Sequence, residues 1–482
     1  MTLVELQRCY SAGSITLRAS GRCSELVIFV PFARFRGATR AESGPAGRRP
    51  ARKSAGTGAG GTAAAPTDTW SRLPRVRSAR RGLPSLRAAG RSGGKGLPVR
   101  VVVLGAGFGG LELSTRLSEV LGDELEVTLV DRAEGFVFGF SKLDVMFGRT
   151  TPDAVLHRYD GLVAPRVRFV RAEITAIDPA ARRVETTAGA LTGDVLVVAL
   201  GADVDPAGTP GLLEGGWEFY SEQGAFAARD VLADFPGGRV VVGVCGTPFK
   251  CPPAPSETAL LVHDLLARTG RRAQSEIHLA MPLPVPVPPS PPGSAALLEA
   301  FAERGIEFHP SKLVTGLDPV RSVALLSDVD DGTPGEMAYD LFLGVPKHHV
   351  PAVVAESGLA EDGWIPVDSL TLETRFPGVY AVGDVTSVGT PKAGVFAEGQ
   401  AAIVADRIIA AARGADGPRY GGAGVCYFEL GGDQVAGVEV TFLQGQAPIG
   451  TYNPPSAEIA ARKGDFGTSR IRRWFGREWS AY

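Results

Sequence analysis

The residues with the clearest chemical purpose are a six-residue run, Gly105-Ala106-Gly107-Phe108-Gly109-Gly110, and an acid, Asp131, placed 21 residues beyond Gly110. In a G-x-G-x-x-G loop the first glycine permits a tight turn and the second lets bare backbone approach a pyrophosphate. The third lets helix and strand pack closely. Gly105, Gly107 and Gly110 take those places, with Phe108 and Gly109 between them. An acid where Asp131 stands accepts hydrogen bonds from an adenosine ribose. The spacing predicts a bound dinucleotide.

Thiols form the second set. Five cysteines (9, 23, 245, 251 and 426) are too few and too scattered for a disulfide-stapled scaffold. Cys251 sits in a proline-rich loop, Cys245-Gly-Thr-Pro-Phe-Lys-Cys251-Pro-Pro-Ala-Pro, at a strand-to-helix crossing. Ligands of α/β folds bind at such crossings, which favours a redox thiol over a small buried hydrophobe. Cys426, flanked by Val425, Tyr427 and Phe428, suits core packing and redox work equally. Cys245, at a strand end, reads as buried, while Cys9 and Cys23 carry no expectation. Glu257 reads as a first-turn helix acid favoured by the dipole. His348 and His349 either donate protons near neutral pH or belong to a solvated loop. With no CxxC and no His/Cys cluster at zinc spacing, no metal is expected.

The elements that position these groups follow from patterning. A β-branched run from Val99 to Val103 feeds the glycine turn. A helix-compatible stretch (Leu111 to Val120) and a second strand (Leu125 to Val130) follow. The helix aims its positive end at the phosphates. VRFVRAEITAIDP and RRVETTAG alternate like a small β-ribbon, and DVLVVALGA is a buried strand ending at Gly201-Ala202. A second strand–turn–helix unit starts at Gly238, with a strand from Val240 to Val244 and a helix from Ser256 to Ala267, Ser256 being its N-cap. Its turn has no glycine cradle. Prolines lack the N–H that a phosphate needs, and a lysine side chain blocks approach. The next strand (Glu276 to Met281) ends in Met-Pro instead of an acid, so this unit keeps the architecture without the usual NAD(P)H site. Residues 281–294 read as a polyproline connector, followed by a helix from Ala295 to Arg304 and strands over 306–345. A strand from Val379 to Val382 ends in Gly383-Asp384, and a helix runs from near Lys392-Ala393 to Gly414.

Charge is unevenly spread over the 482 residues. Residues 1–97 hold 18 Lys+Arg against 4 Asp+Glu, a balance of +14; the rest holds 32 against 48, or −16. The first segment lacks apolar periodicity and reads as a disordered extension: a transit-type peptide, a basic arm, or an upstream stretch ahead of a start near Val99. No clear signal peptide is seen, and no run of 18 apolar residues occurs, so no transmembrane helix is expected. The expected place is the cytoplasm or a membrane's periphery, with no nucleic-acid partner. The stretch containing Arg470, Arg472, Arg473, Trp474, Phe475, Arg477 and Trp479 suits an interfacial anchor or a tail docked on the protein's own surface.

Together LGAGFGG, Asp131, LGA at 200–202, VGD at 382–384, PKAG at 391–394 and CPPAPSE at 251–257 resemble the two-dinucleotide-fold FAD oxidoreductases. Within them the chain looks like the group of sulfide:quinone oxidoreductase and flavocytochrome c sulfide dehydrogenase. The resemblance implies an α/β fold with two Rossmann-like units. An FAD-binding domain in two parts (98–205 and 355–415) would be interrupted by a second unit (206–354), with C-terminal strands and a basic, aromatic tail (416–482). It implies FAD held by the glycine loop, Asp131, Gly201, Gly383 and Asp384. The helix after Lys392 and Ala393 would favour the reduced flavin's charge. It also implies a redox pair between Cys251 and Cys426, far apart in the sequence, with Glu257 near the sulfur site. Lys250 and helix N-termini would lower the thiol pKa. No third cysteine lies between residues 24 and 244, and no haem-attachment CxxCH occurs, so any cytochrome would be a separate chain. The expected activity is oxidation of sulfide or a related sulfur nucleophile, with electrons passing to a quinone or a separate cytochrome. The alternatives are an NAD(P)H dehydrogenase of the type II NADH dehydrogenase kind and a non-catalytic FAD-binding sensor or scaffold.

Overall fold

The computed structural model describes residues 98–443 and 445–479. The basic leading segment, with Cys9 and Cys23, lies outside that range. The described chain opens with strand β1 (Val99–Leu104), helix α1 (Phe108–Leu121) and strand β2 (Leu125–Asp131), then β3 (Val167–Arg171) and β4 (Val195–Val198). Next come β5 (Trp217–Glu218), β6 (Arg239–Val244), helix α2 (Ala254–Arg268), β7 (Glu276–Ala280), helix α3 (Pro291–Arg304), β8 (Ile306–His309) and β9 (Leu341–Val345). The last elements are β10 (Val379–Ala381), helix α4 (Gly394–Ala412), the strands β11 (Ala423–Gly431), β12 (Gln434–Thr441) and β13 (Ile449–Asn453), and helix α5 (Ala457–Phe475).

These make two parallel sheets of the doubly wound kind. The first has the order β10-β4-β1-β2-β3 and takes its strands from both sides of the second. The second has the order β5-β9-β6-β7-β8. Their central strands are apolar throughout because helices or other sheets cover both faces; Val101 to Leu104, Val240 to Val244 and Leu341 to Val345 are all buried. An antiparallel sheet, β11-β12-β13, packs beside α2.

Several boundaries move for identifiable reasons. Val167–Arg171 joins the main sheet instead of the ribbon, which spans Ile174–Asp178, Arg183–Thr186 and Gly189–Thr192. As an edge strand β3 has half-exposed positions, hence its alternation. Ser256 is not the cap of α2. The helix starts at Ala254 behind Pro253, since Pro255 at the second position needs no N–H partner. The polyproline reading fails at its end, where Pro291 and Pro292 open α3 and the Ser290 side chain caps it by accepting from Gly293.

Candidate active site

The C-terminal ends of both central strand sets face one cavity of about 870 Å³, within the size range of ligand and cofactor sites. Of the residues expected to hold a cofactor, Gly105, Gly107, Phe108, Gly109, Asp131, Gly201, Gly383, Asp384, Lys392 and Ala393 line it. Gly110 does not. A Cβ there would lie 1.8 Å from the Gly105 carbonyl oxygen, so its role is helix–loop packing. At Gly107 a Cβ would meet no protein atom within 4 Å, so its bare backbone opens onto space that the fold leaves free.

Both helices that point into this space begin uncapped. Gly107 and Ala393 make no side-chain cap bond, and neither α1 nor α4 carries an acid in its first turn. Their leading N–H groups have no intrahelical acceptor and favour an anion. The residues therefore fit an anionic dinucleotide. Asp131 is oriented by the N–H groups of Ala106 (2.7 Å) and Ala133 (2.8 Å), with lone pairs to spare. Buried Gln400, which the sequence did not mark, accepts from the Gly383 N–H at 2.7 Å and fixes that turn.

Lys392 is anchored from within the protein. Its ammonium donates to the carbonyls of Asp384 (2.6 Å) and Thr386 (3.1 Å) and lies 3.2 Å from the Trp364 ring centroid. Burial pushes it down to about 8, with Asp384 opposing. Burial likewise raises the Asp384 carboxyl, against Lys250 and Lys392.

At the other end of the cavity stand Cys251, Cys426 and Glu257. Cys251 comes from the loop between β6 and α2, Cys426 from β11, and both are free thiols. The Cys251 backbone is left-handed (φ 48°), a conformation that costs a non-glycine residue roughly 1–2 kcal/mol. It is held by its own N–H donating to the Lys392 carbonyl (2.7 Å) and by its carbonyl accepting from Ala254 (2.9 Å). The loop is thereby pinned to the first unit, with Lys250 and Lys392 forming an isolated parallel bridge.

Lys250 is not the charge that tunes the thiol. Its side chain donates to the Ala202 carbonyl at 3.0 Å. Burial raises the Cys251 thiol, helped by the nearby charges of Cys426 and Glu257. Lys142, which the sequence did not mark, opposes them. Lys142 lines the cavity, donates to the Tyr220 carbonyl and is pushed down to about 8, chiefly by burial. Burial pushes Cys426 up to about 11 and Cys245, fully packed, to about 12. Cys251 keeps some surface open toward the cavity, yet the protein crowds its thiol and disfavours the thiolate.

Glu257 heads a buried ionic chain. Its Oε1 accepts from the Glu429 N–H (3.0 Å) and lies 3.5 Å from Lys463 Nζ. Lys463 donates to Glu429 Oε1 (2.7 Å), Arg149 to Glu429 Oε2 (2.7 Å), and Asp144 stands 3.5 Å from Arg149. Burial raises Glu257 despite Lys463, and raises Asp144 to about 6. Burial acts on Glu429 too, but Lys463 and Arg149 outweigh it and hold that carboxyl low. Glu257 does stand in the first turn of α2; the ionic chain around it is what the sequence did not mark.

His348 is not a neutral-pH proton donor. Burial and Lys250 push it down to about 3, and its Nδ1 faces the Pro346 carbonyl at 2.9 Å. Neither it nor His349 lines the cavity. The C-terminal aromatics turn inward. Trp474 and Phe475 are buried, the Trp474 ring meets Phe108 and Phe136 edge-on, and its Nε1 donates to Glu112 at 3.3 Å. Arg470 pairs with Glu398 and Arg473 with Glu119. These side chains follow the docked-tail reading. Among the described residues no helix is long and apolar enough to cross a membrane.

Two Rossmann-like units sharing a dinucleotide cavity define a class. Residues 99–405 match the pyridine nucleotide-disulphide oxidoreductase family, and the chain belongs to it; it is a flavin-type oxidoreductase by family. Its relatives narrow the field. The chain is 24% identical to the mitochondrial sulfide:quinone oxidoreductase of Mus musculus over 315 residues, which are 63% of this chain and 69% of that protein. A stretch of 115 residues, 23% of this chain and 29% of the relative, is 36% identical to type II NADH:quinone oxidoreductase of Staphylococcus saprophyticus. Among solved structures, the sulfide:quinone oxidoreductase of Aquifex aeolicus superposes with a TM-score of 0.68 at 21% identity, covering 78% of this chain and 91% of that one. NDH2 of Plasmodium falciparum in complex with NADH gives 0.60 at 12% identity, covering 77% and 94%. These superpositions establish the fold.

Proposed function

We propose that the protein is an FAD-dependent oxidoreductase that oxidises sulfide or a related sulfur nucleophile through Cys251 and Cys426 and passes the electrons to a quinone. One observation carries the reading: two thiols from distant parts of the chain line the same cavity as the dinucleotide loop. The resemblance to sulfide:quinone oxidoreductases over both units points the same way.

FAD would be held by Gly107, Asp131, Gly383, Asp384 and the N-termini of α1 and α4. When bound, it supplies a two-electron acceptor that returns the thiol pair to a disulfide. In the oxidised pair, HS⁻ bonds to one sulfur and the Cys251–Cys426 bond breaks. The displaced electron pair stays on the other cysteine as a thiolate, and a persulfide remains on the first. A second HS⁻ then takes the outer sulfur and leaves as hydrodisulfide, which frees two thiols whose two electrons the flavin would accept as the disulfide re-forms. Lys142 stabilises charge at Cys251 Sγ, and Glu257 accepts the proton that the persulfide sheds. The docked α5, with its partly exposed polar face, is compatible with peripheral contact at a quinone-bearing membrane.

The NADH dehydrogenase reading rests on the 115-residue relative. Against it stands the loop of β6–α2, whose prolines and Lys250 offer no phosphate cradle. An anaerobic titration of the flavin-loaded protein tests both. Bleaching of the flavin absorbance by sulfide and not by NADH is expected. Bleaching by NADH alone sinks the sulfide reading, and bleaching by neither points to a sensor or scaffold. Cys251→Ser and Cys426→Ser should each slow sulfide bleaching more than about a hundredfold while keeping the flavin.

A further inference from the structure

Away from the cavity, strands β7 and β8 run parallel with His278 opposite Glu307 and Ala280 opposite His309. Side chains two apart on a strand share a face, so Glu276 and His278 line one strand while Glu307 and His309 line the next. His278 Nδ1 lies 3.1 Å from His309 Nε2 and 3.4 Å from Glu307 Oε2, and the last two atoms are 3.8 Å apart. Donor atoms about 2.0–2.1 Å from a tetrahedral ion are spaced about 3.3 Å from one another. The three side chains therefore outline one face of a tetrahedron of the size that zinc demands.

The surroundings supply a second, independent sign. His278 is buried, and its other nitrogen, Nε2, has no hydrogen-bond partner. Glu276 Oε2 stands 3.6 Å from that nitrogen and is itself held by Arg239 at 2.7 Å. Metal-bound imidazoles turn their second N–H toward a carboxylate, and Glu276 stands on that side of His278, just beyond hydrogen-bond distance.

We propose that His278, Glu307 and His309 bind a divalent transition cation of the zinc class, with water completing the coordination. Two imidazoles and a carboxylate suit that ion. β8 is the edge of the second sheet, so the ion ties an edge strand to its neighbour. None of the three residues lines the cavity, and the site stands independently of the sulfur chemistry.

The test uses the full, flavin-loaded chain, stripped of metal with a chelator and titrated with Zn²⁺ alone under equilibrium dialysis. One bound Zn²⁺ per chain is expected. His278→Gln and His309→Gln should each weaken it more than about tenfold, and Glu276→Gln by about tenfold. Glu307→Gln alters an exposed side chain that the fold does not need, so it should fold and lose affinity even where a histidine variant fails. Binding should survive Cys251→Ser and Cys426→Ser, and Co²⁺ should give ligand-field bands without thiolate charge transfer. Absence of bound Zn²⁺, or binding lost with the cysteines and kept in Glu307→Gln, overturns the proposal and leaves an ordinary His278–His309 hydrogen bond.

Discussion

The two strand–turn–helix units share a topology and differ in what their turns present. After β1 the turn shows bare backbone: Gly107 opens onto free space and α1 starts without a cap or an acid. After β6 the turn shows side chains. Cys251 is held left-handed, Lys250 is spent on the Ala202 carbonyl, and Glu257 occupies the first turn of α2. The second turn also leans on the first unit through the bond from Cys251 N–H to the Lys392 carbonyl. The same scaffold position thus serves as an anion cradle in one unit and as a mount for a thiol in the other. What differs is a handful of residues that set whether N–H groups or a sulfur reach the cavity.

The sharpest way to break this contrast is Gly110→Ala against Pro252→Ala. The first forces a methyl to within 1.8 Å of the Gly105 carbonyl oxygen and should yield protein without flavin, read from the absorbance of the purified chain. The second should keep its flavin. Equal retention by both would mean that the turns are not specialised.

Glu257→Gln should lower sulfide-driven bleaching about a hundredfold at constant flavin content. Burial raises this carboxyl, so it becomes a base only as pH climbs through its raised pKa. The wild-type rate should rise over that window and the variant's should stay flat. A variant that keeps the rise places the proton elsewhere.

Lys142 sharpens the comparison through stability. The folded protein releases its proton at about 8, whereas an unfolded chain holds it until about 10.5. Between those values the unfolded state binds more protons, so stability increases with pH. Lys142→Met should reduce that slope by about one proton, measured by denaturant unfolding at several pH values. The smallest effects concern helix starts. Ser290→Ala removes a cap and should cost about 1 kcal/mol. Ser256→Ala removes a buried hydroxyl that has no partner and should change stability by less than about 0.5 kcal/mol.

Much of the first unit was legible because its signals are local. Strand, turn, helix and acid occupy one unbroken stretch from Val99 to Asp131, and each type follows from backbone needs. The second turn was legible as a departure from that pattern. What escaped depends on distant contacts. Lys142 stands far upstream of Cys251 and carries no motif. The chain of Glu257, Lys463, Glu429 and Arg149 is gathered from α2, α5, β11 and a loop, so burial could not be read from any one stretch. The charge beside Cys251 was misjudged for the same reason. Neighbours in sequence point apart across a turn, and Lys250 faces Ala202. His278 and His309, on separate strands with a helix between them in the sequence, meet only through strand register.

The ring of Trp474 rests edge-on against Phe108, a residue inside the glycine turn, and against Phe136. A ring far along the chain thus buttresses the back of the glycine turn, while Trp474 itself lines no part of the cavity. Trp474→Ala should therefore loosen the hold on the dinucleotide from a distance, read as flavin lost from the purified protein, while the thiol end of the cavity keeps its shape.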